Sequence, residues 1–177
     1  SDVHMEGNNK DKFKLFGEGI RDINASEENH HLIFLGDNTM NNQVVELGAF
    51  YELLTEHITI PNILMVTGNH DLCPSEQNSG DYNTQANQFI RFHNTFIDED
   101  IEKAYYSREI NGYKFIVLAS ESDAGVQQYI SVEQLLWLES ELKSAESLGK
   151  PVFIFNHYPL NHTWPFVWTE GHVGLES

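Results

Sequence analysis

The sequence predicts an α/β fold, because short apolar runs of strand length alternate with longer segments whose apolar residues recur at helical spacing. Each of the short runs contains at least four consecutive apolar residues, which is typical of strands buried on both faces of a sheet. With 177 residues and 40% hydrophobic composition, the chain is long enough to bury one core. We expect one domain over residues 1–177, without a long linker or an internal repeat.

The predicted elements follow in alternating order along the chain. Strands are expected over residues 31–35, 62–66, 113–119 and 152–155, and helices over about 12–23, 43–57 and 84–96. A further helix begins after Ser131, which with Gln134 forms a capping box. Gly149 and then Pro151 follow its last turn and predict its end.

The charge of the chain restricts its partners. It has 27 acidic and 10 basic side chains, and the formal net charge is −17. Such a surface repels polyphosphate backbones and anionic membranes, so we expect no nucleic-acid partner. The apolar runs are also far shorter than a bilayer span, so we expect no membrane-spanning segment.

Polar side chains follow the apolar runs at the points where the strands are expected to end. Gly36-Asp37 follows the first run, Gly68-Asn69-His70-Asp71 the second and Asn156-His157 the last. In open α/β sheets this edge is where binding sites form. Turn formation alone explains the glycines, asparagines and aspartates, but it does not explain the accompanying histidines. The pattern therefore favours a site over a set of turns.

The donor atoms of these clusters are those of a transition-metal site. The chain begins with Asp2-Val3-His4, and in an extended segment Asp2 and His4 lie on the same face, where both can bind one ion. A carboxylate at Asp37 can bridge two ions. A mixed set of carboxylate, amide and imidazole donors suits Mn, Fe or Zn better than Ca or Mg.

Taken in this order, the motifs resemble the signature of the calcineurin-like metallophosphoesterases, which runs DxH, GDxx, GNHD or GNHE, an isolated His and then GHxH. The first four are present as Asp2-Val3-His4, Gly36-Asp37, Gly68 to Asp71, and His157. The resemblance covers nearly the whole chain. It implies a four-layer αββα sandwich of two mixed β-sheets flanked by helices, with two divalent metals that hydrolyse phosphate esters.

The resemblance also implies a ligand set, transferred residue by residue. Asp2, His4 and Asp37 would bind the first metal. Asp37, Asn69 and His157 would bind the second, which makes Asp37 the bridging ligand. Manganese, iron and zinc are the ions expected there.

The same resemblance implies a mechanism for a small phosphomonoester or phosphodiester substrate. A hydroxide that bridges the two metals attacks the phosphorus, so no covalent intermediate is needed. His70 assists the leaving group by protonating or stabilising its oxygen. Asp71 is expected to orient the His70 ring.

The chain departs from the family pattern at three places. Only Ser1 precedes Asp2, so we expect the first strand of the fold to be missing. Residues 171–174 read Gly-His-Val-Gly where GHxH is expected, which predicts a loop at His172 and a chain that stops before the true motif. Met40 occupies a position at which many relatives have an acid beside the leaving-group histidine.

Two alternatives remain beside phosphoester hydrolysis. One is a non-catalytic or degenerate binding module with the same fold, which Met40 and the missing GHxH favour and the intact GNHD opposes. The other is a metal enzyme that hydrolyses a peptide or amide bond.

Overall fold

The strands lie in two sheets in the computed structural model, which describes residues 2–7, 9–26, 31–60, 62–72, 81–121 and 129–159. The first sheet pairs β1 (His31–Leu35) with β2 (Asn62–Val66) in parallel. The second sheet has the order β3 (Tyr106–Ile110), β4 (Tyr113–Val117) and β5 (Val152–Phe155). It is mixed, because β3 is antiparallel to β4 and β4 is parallel to β5. We expected two mixed sheets, but the described part of the first contains one parallel pair.

Five helices are described in these residue ranges. They are α1 (Lys10–Ala25), α2 (Val44–His57), α3 (Asn69–Leu72), α4 (Tyr82–Ile97) and α5 (Val132–Glu146). Helix α2 makes the crossover between the parallel strands β1 and β2, as parallel pairing requires. It packs against both α1 and α4. The main core lies there, where the ring centroids of Phe16 and Phe50 are 5.0 Å apart and those of Phe34 and Phe50 are 5.2 Å apart.

Most predicted elements are confirmed, with small differences at their ends. The strands at 31–35, 62–66 and 152–155 have the expected bounds, whereas the strand expected over 113–119 ends at Val117. The N-cap of α5 is confirmed, because the Ser131 hydroxyl accepts a hydrogen bond from the Gln134 amide at 3.1 Å. The predicted capping box is wrong, because the Ser131 amide donates to Glu121 Oε2 and the Gln134 side chain instead bonds the backbone of Ala119. Strand β3 and the short helix α3 were not predicted.

No described helix is both long and apolar enough to span a membrane.

The strand register explains why the candidate site forms at one edge. Leu35, the last residue of β1, lies opposite Val66, the last residue of β2. The two loops that follow these strands are therefore neighbours. Strand β5 ends two residues before His157, whose ring reaches the same edge, where it contacts Leu35.

Candidate metal centre

Asp37 lies at the centre of the site, where Gly68 makes room for its side chain and Gly36 makes room for His157. Its side chain is buried and accepts a hydrogen bond from the backbone N–H of His70 at Oδ1, at 3.0 Å. A Cβ at Gly68 would lie 2.1 Å from Asp37 Oδ1. Gly36 has φ +91°, a backbone conformation that favours glycine, and a Cβ there would lie 2.5 Å from His157 Nδ1.

His157 faces Asp37 through one defined nitrogen. Its Nδ1 lies 2.8 Å from the backbone oxygen of Leu35. A carbonyl oxygen can only accept, so Nδ1 carries the proton and the lone pair is on Nε2. Nε2 lies 3.6 Å from Asp37 Oδ1. An imidazole whose Nδ1–H donates to a backbone carbonyl is the usual arrangement of a metal-binding histidine.

The Asp2 to His4 segment reaches Asp37 in a way that the sequence did not predict. We expected extended backbone, but Asp2 and His4 have φ of +58° and +47°. Their backbone amides donate to the carbonyls of Gly36 and Asp37 at 3.0 and 2.9 Å, and these contacts fix the segment beside the loop after β1. His4 Nε2 then lies 3.6 Å from Asp37 Oδ2 and 3.9 Å from Asp2 Oδ1.

His70 and Asn69 begin helix α3, directly after Gly68. The His70 ring packs edge-on against His4, with centroids 4.6 Å apart. Its Nδ1 lies 2.7 Å from the backbone oxygen of Met40, so Nδ1 again carries the proton and Nε2 is the available nitrogen. Asn69 is half-buried, and its role as a ligand stays a prediction.

Asp71 has partners other than the one we expected. Its two carboxylate oxygens accept five hydrogen bonds, from the backbone and side chain of Asn38, the backbone and side chain of Thr39, and the amide of Gly68. Burial raises the pKa of Asp71, and the backbone hydrogen bonds oppose that rise. The His70 ring is thus oriented by the Met40 carbonyl, while Asp71 orients the loop around it.

Two groups of side chains around Asp37 can each bind a metal ion, and both include Asp37. One group is His4, Asp37 and His70, and the other is Asp2, Asp37 and His157; within each, the ligand atoms lie within 4.8 Å of one another. This grouping differs from the predicted one, which placed Asp2 with His4. His172 lies outside the described residues.

The spacing of these atoms fits divalent cations. Ligand atoms about 2.1 Å from a tetrahedral ion lie about 3.4 Å from each other. The separations of 3.6 Å from Asp37 to His4 Nε2 and to His157 Nε2 agree with this value and are too long for good hydrogen bonds. His4 Nδ1 is buried and has no hydrogen-bond partner among the described residues. The donor set and its spacing therefore suit an ion beside each oxygen of Asp37.

The comparisons with known proteins agree with this chemistry. The chain matches the calcineurin-like phosphoesterase family model over residues 1–173, and it therefore belongs to this family. None of the curated proteins compared with the chain matches it. The family hydrolyses phosphate esters and typically depends on metal ions. The described α/β structure, with two sheets and five helices, is compatible with the metallophosphatase fold.

Several groups that shape the site were not predicted. The carbonyls of Leu35 and Met40 are backbone atoms, and side-chain patterns carry no signal for them. Glu46 is buried and accepts hydrogen bonds from the loop after β1, including one from the Gln43 amide at 3.2 Å. The spacing of Gln43 and Glu46 matches the polar ends of a capping box, so that contact was within reach of sequence analysis.

Proposed function

We propose that this chain is a metal-dependent phosphoesterase that acts on a small phosphomonoester or phosphodiester. The observation that carries the proposal is the position of Asp37, a buried carboxylate with a histidine Nε2 facing each of its two oxygens at 3.6 Å. We further propose one domain over residues 1–177 with the four-layer αββα arrangement of the family.

The proposed metal ligands are Asp2, His4, Asp37, Asn69 and His157. These residues would hold two divalent ions, with manganese, iron or zinc expected, and the bound metal would supply positive charge for the phosphoryl oxygens and lower the pKa of water toward neutrality. Asp37 is the shared ligand, because both of its oxygens face imidazole nitrogens. The Leu35 carbonyl fixes the His157 ring so that Nε2 stays directed at the centre.

His70 belongs to one of the two groups that could bind a metal, but we propose that it assists the leaving oxygen and is not a ligand. The Met40 carbonyl occupies Nδ1, so Nε2 is the atom that can donate a proton or a hydrogen bond to that oxygen. The Met40 carbonyl thus takes the place of the acidic side chain that many relatives have at this position. Asp71 acts on the His70 ring indirectly, by binding the loop that carries Met40.

The distribution of charge supports a small substrate. Each of the three arginines has a partner elsewhere: Arg21 contacts His57, Arg91 lies over Phe92, and Arg108 pairs with Glu99. Positive charge for a phosphate would therefore come chiefly from the metals. The net charge of −17 disfavours a nucleic-acid substrate.

The first test is metal stoichiometry together with substrate class. We expect two tightly bound ions per chain by elemental analysis after manganese reconstitution, and hydrolysis of bis-nitrophenyl phosphate or nitrophenyl phosphate in preference to a peptide ester. Asp37→Asn should lose metal and activity, whereas Asp22→Asn on α1 should retain both. Less than one ion per chain and no turnover would favour the non-catalytic module, and cleavage of the peptide ester alone would favour the other hydrolase.

The role of His70 is tested with leaving groups of different quality. We expect His70→Ala to slow hydrolysis of an alkyl phosphate at least 10-fold more than hydrolysis of a nitrophenyl phosphate, because nitrophenolate leaves without a proton. His57→Ala, outside the site, should slow neither. An equal loss on both substrates would contradict the leaving-group role.

A further inference from the structure

The orientation of the His70 ring depends on a backbone atom, the carbonyl of Met40. The thioether of Met40 is at most a weak acceptor, and His70 Nδ1 instead lies 2.7 Å from the Met40 backbone oxygen. The position of that oxygen decides which ring nitrogen carries the proton. The tautomer of His70 therefore depends on the contacts that hold the backbone of residues 38–43 in place.

On one side of Met40, the backbone is fixed by Asp71. This carboxylate accepts from the amides of Asn38 and Thr39 at 3.1 and 2.9 Å, and from their side chains at 3.2 and 3.0 Å. It also accepts from the Gly68 amide at 2.9 Å, which joins the loop after β1 to the loop after β2. The Asp71 side chain is buried.

On the other side of Met40, the backbone is fixed by Glu46 of α2. Its Oε2 accepts from the amides of Asn41 and Gln43 at 2.8 and 3.2 Å. Its Oε1 accepts from the Gly7 amide at 3.1 Å, so the segment that follows His4 is joined to the same loop. Glu46 is also buried. Neither carboxylate belongs to the groups that can bind a metal.

We propose that Asp71 and Glu46 are positioning residues that together keep His70 in the Nδ1–H tautomer. They bind the amides on both sides of Met40 and so direct its carbonyl at the His70 ring, which leaves Nε2 available at the centre. Each carboxylate accepts several N–H groups, and a carboxamide has one acceptor oxygen only. In an amide variant the NH₂ group faces backbone donors, so the loop has to move. The tautomer does not depend on the proposed hydrolysis; only its catalytic value rests on that function.

The test is the tautomer itself, read from side-chain ¹⁵N shifts of the metal-free protein at about pH 9, where histidine rings are ordinarily neutral. The His70 signal is assigned from its loss in His70→Ala. We expect the wild-type ring to show Nδ1–H, and Asp71→Asn and Glu46→Gln each to give a mixture containing the Nε2–H form. Glu99→Gln is the matched control, because it makes the same chemical change at a carboxylate outside the loop and should leave the His70 signal unchanged.

Thr39→Val provides a second test if Asp71→Asn does not fold. It removes one hydroxyl donor to Asp71 and, with it, the acceptor of the Asn42 amide, both in the loop that carries Met40, and it should shift the tautomer in the same direction. Folded Asp71→Asn or Thr39→Val together with folded Glu46→Gln, all with an unchanged Nδ1–H signal, would overturn the inference. An equal change in Glu99→Gln would also overturn it. A shifted tautomer in a chain without hydrolytic activity would support this inference and contradict the proposed function.

Discussion

Two regions of the molecule bring histidine and carboxylate together, and they do so differently. At the candidate metal centre, the Nε2 atoms of His4 and His157 lie 3.6 Å from the oxygens of Asp37. Between α4 and β3, His93 Nε2 lies 3.0 Å from Glu99, which also pairs with Arg108. The first spacing leaves room for a cation, and the second is a direct hydrogen bond.

The histidines of the two regions also differ in burial. His93 is completely buried, and the rings of Tyr51, Phe89 and Tyr106 surround it. Burial, together with the positive charge of Arg108, lowers the pKa of His93 to about 3. His4 remains partly exposed at the edge of the sheet. In these two regions, the histidine and carboxylate that touch form a structural contact, and those separated by 3.6 Å are candidate metal ligands.

The largest expected effect comes from filling the space beside Asp37. Gly68→Ala places a Cβ about 2.1 Å from Asp37 Oδ1, so the carboxylate has to move. Changes around metal ligands commonly cost about 10- to 100-fold in affinity, and we expect a loss at the upper end of that range in manganese titration calorimetry. In Gly48→Ala, where a Cβ meets nothing within 4 Å, affinity should be unchanged. Equal affinity in the two variants would contradict the placement of Asp37.

A change at the contact between His93, Glu99 and Arg108 should lower the stability of the fold and leave metal affinity unchanged. Glu99→Gln removes the charge that pairs with Arg108 and leaves one acceptor oxygen, whereas Arg108 and His93 contact different oxygens of Glu99. Breaking one partner of a fully buried ion pair costs about 3 kcal/mol or more. Because Glu99 and Arg108 are each 19% exposed, we expect a smaller loss, about 2 kcal/mol, in urea unfolding. Manganese affinity should stay at the wild-type value. A fall in affinity without a fall in stability would show that the two regions are coupled.

The buried histidine predicts a dependence of stability on pH. The folded-state pKa of His93 lies near 3, below its ordinary value of 6.5, so protonation favours the unfolded chain. Its stabilising contribution is present above about pH 6.5 and is lost as the pH falls toward 3. Between pH 7 and 5 the free energy of unfolding should fall by about 2 kcal/mol more in the wild type than in His93→Gln. Parallel pH profiles for the two proteins would contradict the burial of a neutral His93.

The smallest effect serves as a reference outside both regions. Ser131→Ala removes the side-chain acceptor at the start of α5, where the hydroxyl accepts from the Gln134 amide. Loss of an N-cap costs about 1 kcal/mol, and thermal unfolding should show this loss without a change in metal affinity. A change in metal affinity here would mean that affinity follows global stability. The loss of affinity in Gly68→Ala would then no longer report on the position of Asp37.

The sequence was a good guide to the elements that depend on hydrophobic periodicity. The strands β1, β2 and β5 had the correct bounds because each contains four consecutive apolar residues. Strand β3, with the sequence YSREI, was missed because it contains two adjacent charged residues and shows no regular alternation of apolar and polar side chains. The Asn111-Gly112 turn that joins it to β4, with φ of +54° and +74°, is a typical hairpin signal and would have indicated it.

The candidate site was predictable in its side chains but not in its backbone. The positions of Asp37, His70 and His157 after strands predicted that they would meet, and they do. The positive φ of Asp2 and His4, and the carbonyls that orient the rings, depend on long-range hydrogen bonds that leave no periodic pattern. For the same reason the sequence suggested that Asp71 contacts His70, whereas four of the five hydrogen bonds that it accepts come from the loop after β1 and the fifth from Gly68.

The contact between His157 and the Leu35 carbonyl joins residues 122 positions apart in the chain. The β3–β4 hairpin can close locally, but this contact requires both parallel pairs and the helices between them, which form slowly. A metal that binds through His157 therefore recognises only the fully assembled chain. By linkage, an ion at 100 times its dissociation constant adds about 2.7 kcal/mol to the stability of that assembled state. Metal supply would then set the fraction of the chain that is folded, as well as what the folded chain does.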